Sequence, residues 1–275
     1  VFRMIAAQIT DMHVKEPGHL SYRKVDSGAA LARCVEHVNG LDPSPDFVIA
    51  TGDLVDRGKP AEYRYLSELL SPLKMPIYLM PGNHDDRAAL RAEFSSHAYL
   101  QHDDVFLNFV IEEHPVRIIA LDTVIAGEPS GELCRDRLTW LDASLGAAPD
   151  HPTAIFMHHP PFLTGIRHMD AQNCRSGEAL ASLLQNHSQV QWMMCGHVHR
   201  SITVHWHGLT ASIAPSPSHQ VAFDLREDGP PSLVLEPPGY HIHHWRPDTG
   251  LITHTCVVGS FDGPHPFFEN GQLID

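Results

Sequence analysis

The most constraining feature of this chain is a repeated one: an apolar run ends abruptly in a polar block. Phe2–Ile9 leads into Thr10-Asp11-Met12-His13, Phe47–Ala50 into Thr51-Gly52-Asp53, and Ile77–Met80 into Pro81-Gly82-Asn83-His84-Asp85. Val116–Leu121 leads into Asp122, Ala154–Met157 into His158-His159-Pro160-Pro161, and Val190–Cys195 into Gly196-His197-Val198-His199. Short apolar runs bounded by Gly and Pro read as strands buried on both faces. Segments with helical spacing lie between them, around Val25–Val38, Glu62–Leu70, Arg87–Phe94, Asp136–Leu145 and Gly177–Gln185. Strand and helix alternate, so the class is α/β with buried sheets. Beyond His199 the helical spacing stops. Ile202–Trp206, Leu209–Ile213, Gln220–Leu225, Ser232–Leu235, Tyr240–Trp245 and Leu251–Val258 read as mostly antiparallel strands. Turn-rich pieces such as Glu227-Asp228-Gly229-Pro230-Pro231 separate them. No repeat or linker divides the chain, so residues 1–258 are expected to form one domain. The tail 259–275, with Pro264, Pro266, Phe267 and Phe268, is expected to be a loose arm or to pack on a neighbour at an oligomer interface.

Charge excludes several classes of function. Lys plus Arg number 19 against 33 Asp plus Glu, a formal net charge of −14, and no basic run occurs. Such a surface repels phosphate backbones, so no nucleic-acid polymer is expected as partner. Five widely spaced cysteines without a CxxC pair argue against a disulfide scaffold and suit a reducing compartment. No apolar run reaches the roughly 18 residues of a membrane helix. Val1–His13 has no charged region or cleavage site of a secretory leader and reads as a strand. The expectation is a cytoplasmic protein with no membrane partner.

The polar blocks carry the chemistry. In open α/β sheets, sites form beyond the carboxyl ends of strands. Asp11, His13, Asp53, Asn83, His84, His158, His197 and His199 could therefore converge from distant parts of the chain. Oxygen and imidazole donors without a thiolate suit Mn, Fe, Zn or Co. Asp11 and His13 are two apart, as are His197 and His199, so on extended chain each pair would face one side. Gly52, Gly82 and Gly196 each precede a candidate ligand, where a sharp turn or close backbone approach is needed.

These blocks, in this order, resemble the calcineurin-like metallophosphoesterase signature over about Met4 to His199. Gly165-Ile166 before Met169-Asp170, Ala214-Pro215-Ser216 before His219-Gln220, and the Gly263–Phe267 tail are similar to the bacterial class III cyclic-nucleotide phosphodiesterase and glycerophosphodiesterase branch. The resemblance implies a four-layer αββα sandwich of two mixed sheets flanked by helices. It implies a dinuclear centre of two divalent metal ions: Asp11, His13 and His199 on the first, Asn83, His158 and His197 on the second, and Asp53 bridging. It implies a phosphodiesterase acting on small diesters through a metal-bridging hydroxide, with 3′,5′-cyclic nucleotides ahead of glycerophosphodiesters. His84 would donate a proton to the leaving group or hydrogen-bond the phosphate, and Asn83 and His84 would contact substrate; His219, read from its place in the sequence, could reach substrate or orient a ligand. A homo-oligomer is implied too. The alternatives are a phosphomonoesterase, or a scaffold that keeps the fold without catalysis; scaffolds of this kind typically lose ligands, and none is missing here.

Each block alone has an ordinary reading: an Asp in a Gly-Asp turn, an Asn beside a Gly, a satisfied core histidine. Five blocks in one order do not share such a reading. Of His158 and His159, which point oppositely on extended chain, the resemblance selects His158, leaving His159 to orient a ligand. Asp56 and Arg57 read as fixing the loop after Asp53. Asp85 reads as orienting His84 or anchoring its loop. Alternation puts His241 and His243 on one strand face, and with His244 they read as a solvated or interface face. Cys195 reads as packing. No Gly-x-Ser-x-Gly occurs, so a serine hydrolase lacks its turn. Substrate choice is expected in the loops Lys15–Tyr22, Asp86–His102 and Thr164–Arg175, with His168 a candidate contact.

Overall fold

The computed structural model describes residues 3–274. Phe2 and Asp275, the outer ends of the expected first strand and tail, lie outside them. The apolar runs become β1 (Met4–Ile9), β2 (Phe47–Thr51), β3 (Ile77–Met80), β5 (Arg117–Leu121), β6 (Thr153–Met157) and β7 (Val190–Cys195). The helical segments become α1 (Ser27–Asn39), α2 (Pro60–Leu70), α3 (Arg87–Glu93), α4 (Arg135–Gly146) and α6 (Gly177–Leu184). Local chemistry starts them. Asp26 accepts from Ala29 N at 2.9 Å at the head of α1, and Asp86 accepts from Ala89 N at 2.8 Å at the head of α3. Pro60 opens α2, where its missing N–H costs nothing.

The strands form two mixed sheets. One has the order β13-β12-β1-β2-β3, where β12 (Gly239–Arg246) and β13 (Gly250–Val257) run antiparallel beside the parallel trio. The other has the order β4-β5-β6-β7-β9-β8, adding β4 (Phe109–Ile111), β8 (Ile202–Trp206) and β9 (Leu209–Ile213). Here β5, β6, β7 and β9 are parallel, and β4 and β8 are antiparallel edges. Alternation along β1 explains the layering. Ile5, Ala7 and Ile9 face α1, α2 and α3 with Leu31, Val35, Tyr63 and Leu66. Met4 and Ala6 face the second sheet with Phe47, Ile118, Phe156 and Met194. The far face of that sheet packs Ile155, Met157 and Met193 against Leu141 of α4 and Leu180 of α6. Three apolar layers between four layers of backbone make the αββα sandwich.

The structure departs from expectation in several places. The strands expected at Gln220–Leu225 and Ser232–Leu235 shrink to the pair β10 (Gln220–Val221) and β11 (Leu233–Val234). The intervening Phe223 and Leu225 are exposed, so burial does not extend the ladder. The short β4 and the four-residue helix α5 (Arg167–Asp170) were not expected. The tail ends in a small hairpin of β14 (Phe268–Glu269) and β15 (Gln272–Leu273). His241 and His243 are not on a solvated face: they are 1% and 0% exposed. Because β12 pairs with β1 inside its sheet, their face looks toward the second sheet. His243 Nε2 donates to Gln8 Oε1 at 3.0 Å, and Ser201 Oγ meets His241 Nε2 at 3.2 Å.

Candidate metal centre

The eight polar residues converge at the carboxyl ends of five parallel strands drawn from both sheets. Asp11 and His13 follow β1, Asp53 follows β2, and Asn83 and His84 follow β3. From the second sheet, His158 follows β6, and His197 and His199 follow β7. Strand alternation does not bring the pairs together. Asp11, His13, Asp53, His197 and His199 have φ of +55°, +46°, +49°, +73° and +51°, in the left-handed region. Side-chain-bearing residues adopt this at a cost of about 1–2 kcal/mol each, and such strain gathers at functional sites. Backbone bonds across the cleft hold it: Asp11 N donates to Gly52 O at 3.0 Å and His13 N to Asp53 O at 2.9 Å. His197 N donates to Asp11 Oδ2 at 2.9 Å, tying the two sheets together.

Gly82 and Gly196 serve close approach. A Cβ on Gly82 would collide with Asp53, and one on Gly196 with Thr10 Oγ1. The glycines therefore let the loops from different strands touch.

Distances within the cluster are short. His13 Nε2 and His199 Nε2 lie 3.1 Å apart. His199 Nε2 is 3.4 Å from Asp11 Oδ1, His158 Nε2 is 3.4 Å from Asp53 Oδ1, and His13 Nε2 is 3.6 Å from Asp53 Oδ2. Asn83 Oδ1 is 3.2 Å from His158 Nε2. One ligand atom from each of Asp11, His13 and His199 lies within 4.8 Å of the others, and the same holds for Asp11, Asp53 and His158. Second nitrogens orient two of the rings: His158 Nδ1 meets Thr51 O at 2.8 Å and His199 Nδ1 meets His219 O at 3.0 Å. Each ring then turns Nε2 toward the carboxylates.

The electrostatics fit a pair of cations. Burial drives the His13 ring well below the usual imidazole range, His197 down to about 3 and His199 to about 4. A neutral imidazole has the lone pair a metal ion takes. The carboxylates are crowded. Burial, with Asp53 close by, raises Asp11 to about 7. Burial also opposes charge on Asp53, yet His158, His84 and His13 hold it well below the usual carboxylate range. His158 is buried too, but Asp53 and Asp11 raise it to about 9. The buried carboxylates thus draw positive charge into the cluster, and divalent ions would supply it. His197 Nε2 is buried without a hydrogen-bond partner. Such orphaned atoms are rare unless something else satisfies them. The residues present therefore fit a dinuclear centre.

The surrounding side chains divide clearly. Asp85 anchors its loop rather than orienting His84: its carboxylate accepts from Gly82 N at 2.8 Å, Leu54 N at 3.1 Å and Tyr63 Oη at 2.9 Å. Asp56 orients His84 instead, its carbonyl 2.7 Å from His84 Nδ1. His159 lies near His158 and His197, but its nitrogens meet Thr123 Oγ1 at 2.7 Å and Pro129 O at 3.2 Å. Both ring nitrogens are thereby engaged away from the cluster. Arg57 is exposed beside Asp56 and lines no part of the cavity described next.

A cavity of about 380 Å³ opens over the cluster. His13, Asp53, Asn83, His84, His197 and His199 make its polar side, with His219 beside them. Tyr22, His168, Met169 and Gln172 come from two of the three expected loops. Nothing from Asp86–His102 lines it, because α3 and the following turn pack Leu90, Phe94 and Leu100 into the first core. Val221, Pro231, Ser232 and Leu233, which sequence reasoning missed, form another wall. The Gly229-Pro230-Pro231 turn signals a reversal there but not its place over the site.

Comparison with known proteins adds the family. A model described as calcineurin-like phosphoesterase matches residues 4–201. The chain belongs to that family. It is 46% identical to the probable glycerophosphodiester phosphodiesterase GpdQ of Arcobacter nitrofigilis, covering 99% of this chain and 100% of that protein. It is 34% identical to the glycerophosphodiester phosphodiesterase GpdQ of Enterobacter lignolyticus, over 87% of this chain and 86% of that one. It is 28% identical to the 3′,5′-cyclic adenosine monophosphate phosphodiesterase CpdA of Escherichia coli, over 78% and 76%. The fold matches a dimetal phosphatase from Danio rerio with a TM-score of 0.66, at 16% identity over 93% of this chain and 99% of that one.

Proposed function

We propose that this chain hydrolyses small phosphodiesters at a centre of two divalent ions. The observation that carries this reading is the convergence of overlapping donor groups, among them Asp11-His13-His199 and Asp11-Asp53-His158, beneath a cavity of about 380 Å³. Asp11, His13 and His199 would hold one ion, Asn83, His158 and His197 the other, and Asp53 would offer an oxygen to each. Bound there, the ions would neutralise phosphoryl charge and lower the pKa of a water molecule.

The chain's own residues do the rest. His84 N donates to Asp53 Oδ1 at 2.9 Å, and its Nδ1 is engaged by Asp56 O. Its Nε2 is left free, 4.0 Å from Asp53 Oδ2. Burial disfavours the charged ring, but Asp53 and Asp56 outweigh it and raise the His84 pKa. A protonated Nε2 can then donate to the departing alkoxide. Asn83 can offer its amide N–H to a phosphoryl oxygen, and His219 stands where it can contact the ester. Among the described residues, no Lys or Arg lines the cavity. The positive charge that meets the phosphoryl group would therefore come from the two ions and His84.

The names of the relatives divide between glycerophosphodiesters, at 46% and 34% identity, and cyclic nucleotides, at 34% and 28%, so both classes are the first substrates to test. Hydrolysis of bis(p-nitrophenyl) phosphate by Mn²⁺-loaded protein tests the activity, and no turnover would refute it. Rates on glycerophosphodiesters, cyclic AMP and cyclic GMP, with metal analysis of the same sample, rank the substrates and identify the ions.

We infer also that residues 3–258 are the catalytic domain and that the tail meets another copy of the chain. Val258 is the last buried residue, and Phe261, Phe267 and Phe268 beyond it are exposed. The five cysteines are free, which supports a cytoplasmic setting. No helix among the described residues is long and apolar enough to cross a membrane.

A further inference from the structure

Tyr22 lines the cavity in a backbone conformation its side chain does not favour. Its φ is +52° and that of Arg23 is +59°. Lys24 N donates to Ser21 O at 3.0 Å, while Ser21 and Val25 exchange backbone bonds of 2.8 and 2.9 Å. Ser21 and Val25 therefore close a three-residue loop, Tyr22-Arg23-Lys24, whose first two residues are left-handed. Asn-Gly and Gly-Gly take that geometry readily, whereas a Tyr-Arg pair is strained in it. The surroundings enforce the turn: Ser21 is fully buried, and its Oγ donates to His13 O at 3.3 Å. The loop that presents Tyr22 is thus tied to the segment bearing Asp11 and His13.

The product of this strain is the position of one ring. Tyr22 stands edge-on to His219, ring centroids 5.3 Å apart, and His219 stands edge-on to His199 at 4.7 Å. Tyr22 is still 56% exposed, so the contact with His219 leaves much of its ring free. Met169, Val221 and Leu233 line the same cavity. A phosphoryl group drawn to the polar side would leave its organic substituent among these four side chains.

We propose that Tyr22 is a specificity-determining residue whose ring receives the organic substituent of the bound diester and favours flat, aromatic substituents over small alkyl ones. This rests on the diester-binding reading of the centre. The Tyr22 ring does not sense the phosphoryl group; it senses what that group carries. An aromatic contact of this kind is worth about three- to tenfold in affinity.

The test uses the full, Mn²⁺-loaded chain and two diester anions, diphenyl phosphate and dimethyl phosphate, with binding measured by calorimetry. Wild type is expected to bind diphenyl phosphate more tightly. Tyr22→Asn keeps a residue that accepts the left-handed turn while removing the ring. It should lose about three- to tenfold affinity for diphenyl phosphate and none for dimethyl phosphate, at unchanged metal content. Tyr22→Phe should keep the preference. In hydrolysis of bis(p-nitrophenyl) phosphate, Tyr22→Asn should raise KM and leave kcat little changed. Equal loss for both ligands, loss for neither, or no binding of either by wild type overturns the proposal. Ligand binding with the Tyr22 preference but no hydrolysis would refute the diesterase function and leave this inference standing.

Discussion

His84 and Asp53 touch one another, yet the proposed reading gives them different duties, and they should then fail differently. Asp53 lies between the two donor sets, 3.6 Å from His13 and 3.4 Å from His158. Asp53→Ala should lose bound metal and activity together, as read by metal analysis alongside hydrolysis. His84→Ala should keep the metal and lose turnover by about 10²–10⁴-fold on an alkyl diester. The loss should be much smaller for p-nitrophenolate, which departs without a proton. A near-native rate of His84→Ala on the alkyl diester would exclude the acid role. His159 carries the opposite lesson: it adjoins His158 in sequence, but its nitrogens serve Thr123 and Pro129. The resemblance selects His158 of the two, and the orientation of the rings supports that choice.

At the scale of elements, the site depends on strand ends from two sheets meeting at a fixed height. Gly196 is the tightest junction: a Cβ there would meet Thr10, Asp11 and Thr51 together. Gly196→Ala should destabilise the fold by about 1–3 kcal/mol through overpacking and weaken metal binding with it. Chemical denaturation and metal titration of the same variant check both. Beneath that junction Gln8 Nε2 donates to Cys195 O at 3.0 Å and to Thr51 Oγ1 at 2.9 Å, while His243 holds its carbonyl. The strands themselves were legible because their apolar runs are continuous. The hairpin β10–β11 was legible only as a turn, because four ladder residues carry little pattern. Its role as a cavity wall depends on where the chain returns.

Across the whole molecule, buried histidines make stability depend on acid. His241 is lowered by burial from 6.5 to about 4, and His243 is held well below the usual range by burial and by His241. The unfolded chain takes up these protons near pH 6.5 and the fold refuses them. Their contribution to stability should therefore be complete above pH 6.5 and be lost as pH drops from about 6.5 to 4. His241 alone accounts for a loss on the order of 3 kcal/mol. Urea midpoints of wild type and His241→Asn across that range measure it, and an equal pH slope in the two would contradict the burial of this ring. The tail belongs to this scale too. Residues 259–274 are exposed throughout. Truncation after Val258 should leave the melting temperature little changed and reduce the oligomer seen by light scattering.

Sequence by itself determined the layered α/β class, the main strands and helices, and the identity of the clustered polar side chains. It could do so because continuous apolar runs, helical spacing and polar stops are local signals. Tertiary structure decided what depends on partners distant in the chain. It placed His241 and His243 between the sheets instead of in solvent. It set Asp11, His13, His197 and His199 by left-handed backbone held across the cleft instead of by strand alternation. It also made Val221 and Leu233 a cavity wall opposite Tyr22 and Met169 of the expected loops, by packing between segments whose sequences say nothing of one another.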